Sequence, residues 1–262
     1  MRLSWNLGKV SGIDLFLHPS ALLIFFLTAG VMPTALGSIA FTVALLGSIV
    51  LHELGHALMA RRYGIGTQDI TLYLFGGVAR LQRMPRTAGP ELLIALAGPA
   101  VNLAIIAVLT PAIAAGGLVG LPTLFLKMVL FLNMGLALFN LLPIFPMDGG
   151  RVLRALLTGW LGRARATTAA ATLGQAAAVL GGVLAIGFGR WDIAILATFV
   201  YFAAGVERAQ VFAEGRPQAA AVGEFVDVPA PPVGFRWANR GDGVWRLVPI
   251  MASAAGRDRS WS

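Results

Sequence analysis

Apolar runs long enough to cross a lipid bilayer dominate this chain and leave few folds open to it. A hydrocarbon core of about 30 Å needs roughly 20 apolar residues of helix. Six segments approach that length: Pro19–Ala35, Ser38–Ala60, Glu91–Ala114, Pro122–Ile144, Thr168–Gly187 and Trp191–Val206. Only 12% of the 262 residues are charged, about half the share in an average soluble domain. The expectation is an all-α polytopic membrane protein with about six transmembrane helices. The first segment reads as retained rather than as a cleaved leader, because the stretch before it includes Asp14 and His18 and is too mixed for a compact basic n-region.

Arginine and lysine positions give the orientation. Arg2 and Lys9 precede the first segment, and Arg61, Arg62, Arg80, Arg83 and Arg86 lie between the second and third. Arg151, Arg154, Arg163 and Arg165 lie between the fourth and fifth, and Arg208 follows the sixth; the opposite loops hold Lys127 and Arg190. The positive-inside rule then puts both termini in the cytoplasm of a multi-pass protein of the cell membrane. The net charge of +8 follows from this topology, and no nucleic-acid partner is expected.

Within the second segment the apolar run Ile39–Leu51 leads without a polar linker into His52-Glu53-Leu54-Gly55-His56. Residues four apart share a helix face, so the two histidines can grip one metal ion, with Glu53 beside them as a base for a metal-bound water. Three ionisable groups at that depth carry a desolvation cost that points to function. The chain has no cysteine, which leaves His, Asp and Glu as ligands. A third ligand must come from elsewhere, and Asp148 is the best placed. Pro143 and Pro146 break the helix before it, and Gly149 and Gly150 free the backbone after it. Asp148 equally suits the N-cap of a helix starting at Gly149 or Gly150. Glu91 and Glu207 are poorer candidates, one at a helix start and the other beyond the sixth segment. A polytopic scaffold or transporter without proteolytic activity is the alternative that such buried ionisable groups leave open.

Between the second and third segments, Thr67–Gln82 has β-branched and aromatic residues split by Gly76-Gly77, the pattern of a small β-hairpin. It is either a surface hairpin or an edge strand that pairs with an unwound substrate. Residues 1–206 form the expected membrane domain. Residues 207–262 form a cytoplasmic tail, in which Phe235–Trp237 and Val244–Val248 flank a turn-forming stretch.

Taken together, HELGH at 52–56, Gly98-Pro99-Ala100-Val101-Asn102 and the Asn140…Asp148-Gly149-Gly150 segment resemble the site-2 protease family of intramembrane zinc metalloproteases. Gly8–Ser20 and the Gly76-Gly77 hairpin look like its compact prokaryotic members, and the likeness spans roughly residues 1–206. The resemblance implies one Zn2+ per chain held by His52, His56 and Asp148, with Glu53 as the catalytic glutamate. It implies that Asn140 steadies the oxyanion or the scissile peptide, although a helix-packing hydrogen bond explains the same residue. Asn102 is expected to pack helix three or to orient a ligand. The implied substrates are single-pass membrane proteins, cut within or near their transmembrane segments. Many relatives carry a PDZ domain or paired CBS domains, and this sequence resembles neither. Arg151 and Arg154 are expected to bind lipid headgroups or to satisfy the positive-inside rule.

Overall fold

The computed structural model describes residues 4–83, 85, 87–117, 119–215, 231–239 and 245–249. The chain divides into two compact units, 1–215 and 216–262. In the second, strands β5 (Phe235–Asn239) and β6 (Trp245–Pro249) pair antiparallel; the turn expected at 240–243 lies outside the described residues, as do Arg2 and Arg86.

The first unit is mostly helical. Helix α2 (Ala35–Arg62) starts where the Thr34 hydroxyl accepts from the Gly37 N–H at 3.0 Å, an N-cap that satisfies one orphan donor. It runs 28 residues and stops at Arg61-Arg62, where Gly64 turns the chain with φ +67°. Helices α3 (Ala88–Ala114), α4 (Leu121–Asn140) and α6 (Arg163–Gly187) follow. Together with α2, these are the four helices, among the described residues, long and apolar enough to cross a membrane. Helix α7 (Trp191–Gly215) is 25 residues long and carries Asp192 near its start and Glu207 and Arg208 toward its end. It continues past Val206 to Gly215. Between α4 and α6, the amphipathic helix α5 (Asp148–Leu161) has 14 residues, about 21 Å, too short to span.

The segment expected as a first spanning helix, Pro19–Ala35, is different. It forms a single 3₁₀ turn, Pro19–Leu22, and a five-residue helix, α1 (Leu23–Leu27), before breaking into turns. Gly30 with φ +81° and Pro33 explain the break, since neither supports a continuing helix. The segment still climbs beside α2, antiparallel to it. Ile24 packs with Ile49, Thr28 hydrogen-bonds Thr42 through their hydroxyls at 2.5 Å, and the Met32 N–H donates to Ser38 Oγ at 3.2 Å. Irregular backbone at membrane depth is tolerated when protein covers it, and the Ser38 hydroxyl on α2 provides such a partner to the Met32 backbone.

A four-stranded sheet, in the order β1-β2-β3-β4, completes the unit. Strands β1 (Trp5–Val10) and β2 (Ile13–Leu17) form a hairpin through Ser11 and Gly12, both with positive φ, the geometry of a two-residue primed turn. Strand β2 lies parallel to β3 (Thr67–Tyr73), and β3 pairs antiparallel with β4 (Gly76–Leu81), with Tyr73 opposite Gly76. Ile13, Ile70 and Ala57 form one apolar cluster, and Ala21, Ile24, Ile49 and Leu72 another. Both clusters fasten the sheet to the middle of α2. Strand β4 is left at the edge, alongside Glu53 of α2.

Candidate metal centre

The buried side chains of α2, including Ser38, Thr42, Ile49, His52, His56 and Ala60, recur every three or four residues or a multiple of that, so they share the face turned to the bundle interior. His52 and His56 sit on it one turn apart. Helix α3 approaches this face with a glycine. A Cβ on Gly98 would overlap the His56 imidazole and come within 2.7 Å of His52 Nε2. Gly55 answers from α2, where a Cβ would lie 2.6 Å from the Ala97 carbonyl oxygen. Two glycines on facing helices therefore set how closely α3 approaches the histidines.

The third side of the site is the start of α5. The loop Leu141–Met147, with a cis Phe145–Pro146 bond, folds back over the first turn of that helix. A Cβ on Gly150 would lie 2.6 Å from the Ile144 carbonyl carbon, and one on Gly149 would overlap the Leu141 and Leu142 carbonyls. The Asp-Gly-Gly run is thus required by close packing, not only by backbone freedom. Met147, not Asp148, occupies the N-cap position of α5. The Asp148 carboxylate faces the histidines instead: its Oδ2 is 3.1 Å from His52 Nε2 and 3.1 Å from His56 Nε2, and the two Nε2 atoms are 3.1 Å apart.

The hydrogen bonds on the far side of each ring show what this triangle can hold. His56 Nδ1 lies 2.7 Å from the Ile94 carbonyl oxygen, which can only accept, so Nδ1 carries a proton and the neutral ring presents its lone pair at Nε2. Pro99 cannot donate to the Ala95 carbonyl, which interrupts the α3 ladder next to Ile94. His52 Nδ1 lies 2.6 Å from Asn102 Oδ1, with the same consequence for its Nε2. Burial works to raise the Asp148 carboxyl, but His56, His52 and then Arg151 hold it below the ordinary carboxylate range, so it is an anion. With both rings neutral, two imidazole lone pairs and a carboxylate oxygen converge at one point, a donor set that is held together by a shared cation, either a proton or a metal ion. Tetrahedral ligand bonds of about 2.0–2.1 Å would separate ligand atoms by about 3.3–3.4 Å, and the 3.1 Å triangle fits that set with small adjustment. The residues present suit zinc. Among the described residues, His52, His56 and Asp148 are the group of His, Asp and Glu side chains placed to hold a metal.

Glu53 follows His52 and is half-buried between α2 and β4. Its Oε2 accepts from the Ala79 N–H at 3.1 Å, so the free edge of β4 points at this carboxylate. Gly77 makes the contact possible, since a Cβ there would sit 2.5 Å from Glu53 Cγ. Asn140 has a local partner: its Nδ2 donates to the Leu136 carbonyl, one turn back on α4, at 3.0 Å.

Glu91 and Glu207 are engaged elsewhere. Glu91 is buried between Arg154, whose Nε is 2.5 Å from its Oε1, and Arg163, whose Nη1 is 2.8 Å from its Oε2. Glu207 accepts from Arg151 at 3.4 Å and Arg154 at 3.5 Å. Of the two roles expected for Arg151 and Arg154, these ion pairs correct headgroup binding and leave the positive-inside placement standing. Arg154 is 2% exposed and lies over the Phe145 ring, tying α5 to α3 and α7. His18 caps the turn that follows β2, its Nδ1 accepting from the Ser20 N–H at 3.2 Å. Sequence reasoning missed the Ile94 carbonyl, the Ala79 N–H and Asn133, of which Asn133 had a signal: a lone amide within an apolar helix.

Comparison with known proteins agrees with this geometry. The model of peptidase family M50 matches residues 40–119 and 118–184. A zinc metalloprotease of Methanocaldococcus jannaschii is 35% identical over 213 residues, 79% of this chain and 61% of that protein. The Rip3 protein of Mycobacterium tuberculosis is 35% identical over 241 residues, 80% of this chain and 60% of that protein. The chain therefore spans about 60% of the length of these curated relatives. The solved structure of a site-2 protease from Methanocaldococcus jannaschii superposes with a TM-score of 0.59 at 33% identity, covering 78% of this chain and 95% of that one. A family model that covers more than half of the residues, and a fold shared at that identity, lead to one conclusion: the chain belongs to peptidase family M50.

Proposed function

We propose that this protein is an intramembrane zinc metalloprotease that hydrolyses peptide bonds within or near the transmembrane segments of single-pass membrane proteins. The observation that carries the reading is the convergence of His52, His56 and Asp148 at 3.1 Å, inside a bundle whose helices are long enough to span a bilayer. His52, His56 and Asp148 hold the metal. Zinc held there would supply an acidified water, with a pKa of about 7, and polarisation of the scissile carbonyl. Glu53 takes the proton from the attacking water and returns it to the departing amine. Asn140 steadies the developing oxyanion once its amide turns from Leu136 toward the substrate. A scaffold would have no need for such a cation-binding cluster at one point, and kinship with zinc metalloproteases favours hydrolysis over transport.

Substrate presentation follows from the sheet. A membrane helix shields its peptide groups, so the substrate must unwind before it is cut. The β4 edge, which faces Glu53 through Ala79, offers main-chain hydrogen bonds to an extended segment at the place of cleavage. In this reading the chain crosses the cell membrane six times, with both termini cytoplasmic and the site in the cytoplasmic half. The Arg61-Arg62 end of α2 and Arg163 at the start of α6 support that orientation; the irregular Pro19–Ala35 segment makes the first crossing and α7 the last. Residues 207–262 are its cytoplasmic tail.

The test is cleavage of a membrane-tethered substrate by purified wild type and Glu53→Gln. The variant should bind zinc as the wild type does and leave the substrate whole. Equal fragment formation by both would refute the assignment of the base.

A further inference from the structure

The hydrogen bond that fixes His52 continues beyond Asn102. Asn102 Nδ2 donates to Asn133 Oδ1 on α4 at 2.9 Å, and Asn133 Nδ2 donates to the Val129 carbonyl at 2.9 Å and to Ser48 Oγ at 3.2 Å. Asn102 and Asn133 are both fully buried. An amide can turn over, exchanging its donor and acceptor ends, and Asn102 turned over would present N–H groups to His52 Nδ1. That would force the proton onto Nε2 and remove the lone pair from the metal triangle.

Only the end of the chain of bonds can choose a direction, and that end is the Val129 carbonyl. It accepts and cannot donate, so Asn133 must turn its Nδ2 toward it. Asn133 then offers only Oδ1 to Asn102, which must answer with Nδ2 and leave Oδ1 for His52. We infer that Asn133 is a positioning residue: it sets the polarity of the Asn102 amide and so keeps the His52 Nε2 lone pair aimed at the metal. Ser48 Oγ takes the second Asn133 proton and supplies no direction of its own, because a hydroxyl accepts or donates as required. Buried polar groups in a bundle must all be satisfied, which is why a choice made at Val129 passes undiluted to a ring three side chains away.

This inference rests on the zinc reading, and the experiment separates the two. Zinc affinity of the purified full chain is measured by chelator competition for wild type, Asn133→Leu and Asn133→Asp. Wild type binding no zinc would fail the metal assignment itself. With wild type bound, Asn133→Leu should weaken zinc by roughly 10–100-fold, the usual effect of removing a partner behind a metal ligand. Asn133→Asp should stay within threefold of wild type: a buried carboxyl is held neutral, donates its proton to Val129 and accepts from Asn102, as the amide does. An Asn133→Leu affinity equal to wild type, or an Asn133→Asp loss equal to that of Asn133→Leu, would overturn the inference, the latter by showing that packing rather than polarity matters. Should the leucine variant not fold, Asn133→Ala is read the same way.

Discussion

Gly98→Ala adds one methyl group at the place where α3 meets the two imidazoles. The new Cβ would overlap His56 Nε2 and lie 2.7 Å from His52 Nε2. Carbon and nitrogen settle at about 3.5 Å or slightly more, so helix or rings must yield by roughly 0.8 Å from the 2.7 Å position. Neither ring yields freely, since His52 is held at Nδ1 by Asn102 and His56 by the Ile94 carbonyl. Displacement of that size at a catalytic centre costs on the order of 100-fold in rate, and metal ligands tolerate only about 0.2 Å. Zinc per chain, measured after purification and again after equilibration against a chelator, should fall well below that of wild type, with cleavage reduced about 100-fold. Gly135→Ala is the control. It lies in α4 with nothing within 4 Å of an added Cβ, and exchanging glycine for alanine inside a helix should hold or raise stability by up to about 1 kcal/mol. Wild-type zinc content and activity in Gly98→Ala would refute the argument that this glycine exists to admit the histidines.

Other outcomes follow from the same structure. Gly77→Pro should keep its zinc yet cleave poorly, because it removes a β4 edge N–H and crowds Glu53; undiminished cleavage would dismiss β4 as the substrate's docking strand. Arg154→Leu leaves the buried Glu91 with Arg163 alone, and losing one member of a buried ion pair costs about 3 kcal/mol; a lowered unfolding temperature in detergent checks this, and an unchanged one would speak against the network. Substituting Asn140 by Ala should lower kcat about 100-fold with zinc content unchanged if the amide serves the oxyanion, whereas an unchanged kcat would leave it as a packing residue.

The motif and its surroundings were legible for different reasons. His52 and His56 could be paired from spacing alone, because a helix turns a four-residue interval into one face. Asp148 could be proposed but not distinguished from a helix cap; that its carboxylate faces the histidines depends on the loop Leu141–Met147 pressing on Gly149 and Gly150, a contact between segments that no local pattern encodes. The Pro19–Ala35 segment misled, since hydropathy measures preference for lipid and not helicity, and Gly30 and Pro33 break the backbone without lowering apolarity much. The β1–β2 hairpin was legible in principle through Ser11-Gly12, but its parallel pairing with β3 joins residues more than fifty positions apart. Arg151 and Arg154 look alike in sequence beside a membrane surface. Only the packing of α3, α5 and α7 shows that their charges are spent on Glu91 and Glu207.

The direct trial of the central claim is zinc X-ray absorption on the purified protein, with metal counted per chain, for wild type and Asp148→Ala. Wild type should hold one zinc ligated by nitrogen and oxygen alone at about 2.0 Å, and Asp148→Ala should retain less than about a tenth of it at the same chelator concentration. Full zinc occupancy in Asp148→Ala, with an unchanged ligand shell, would contradict a metal shared between α2 and the start of α5.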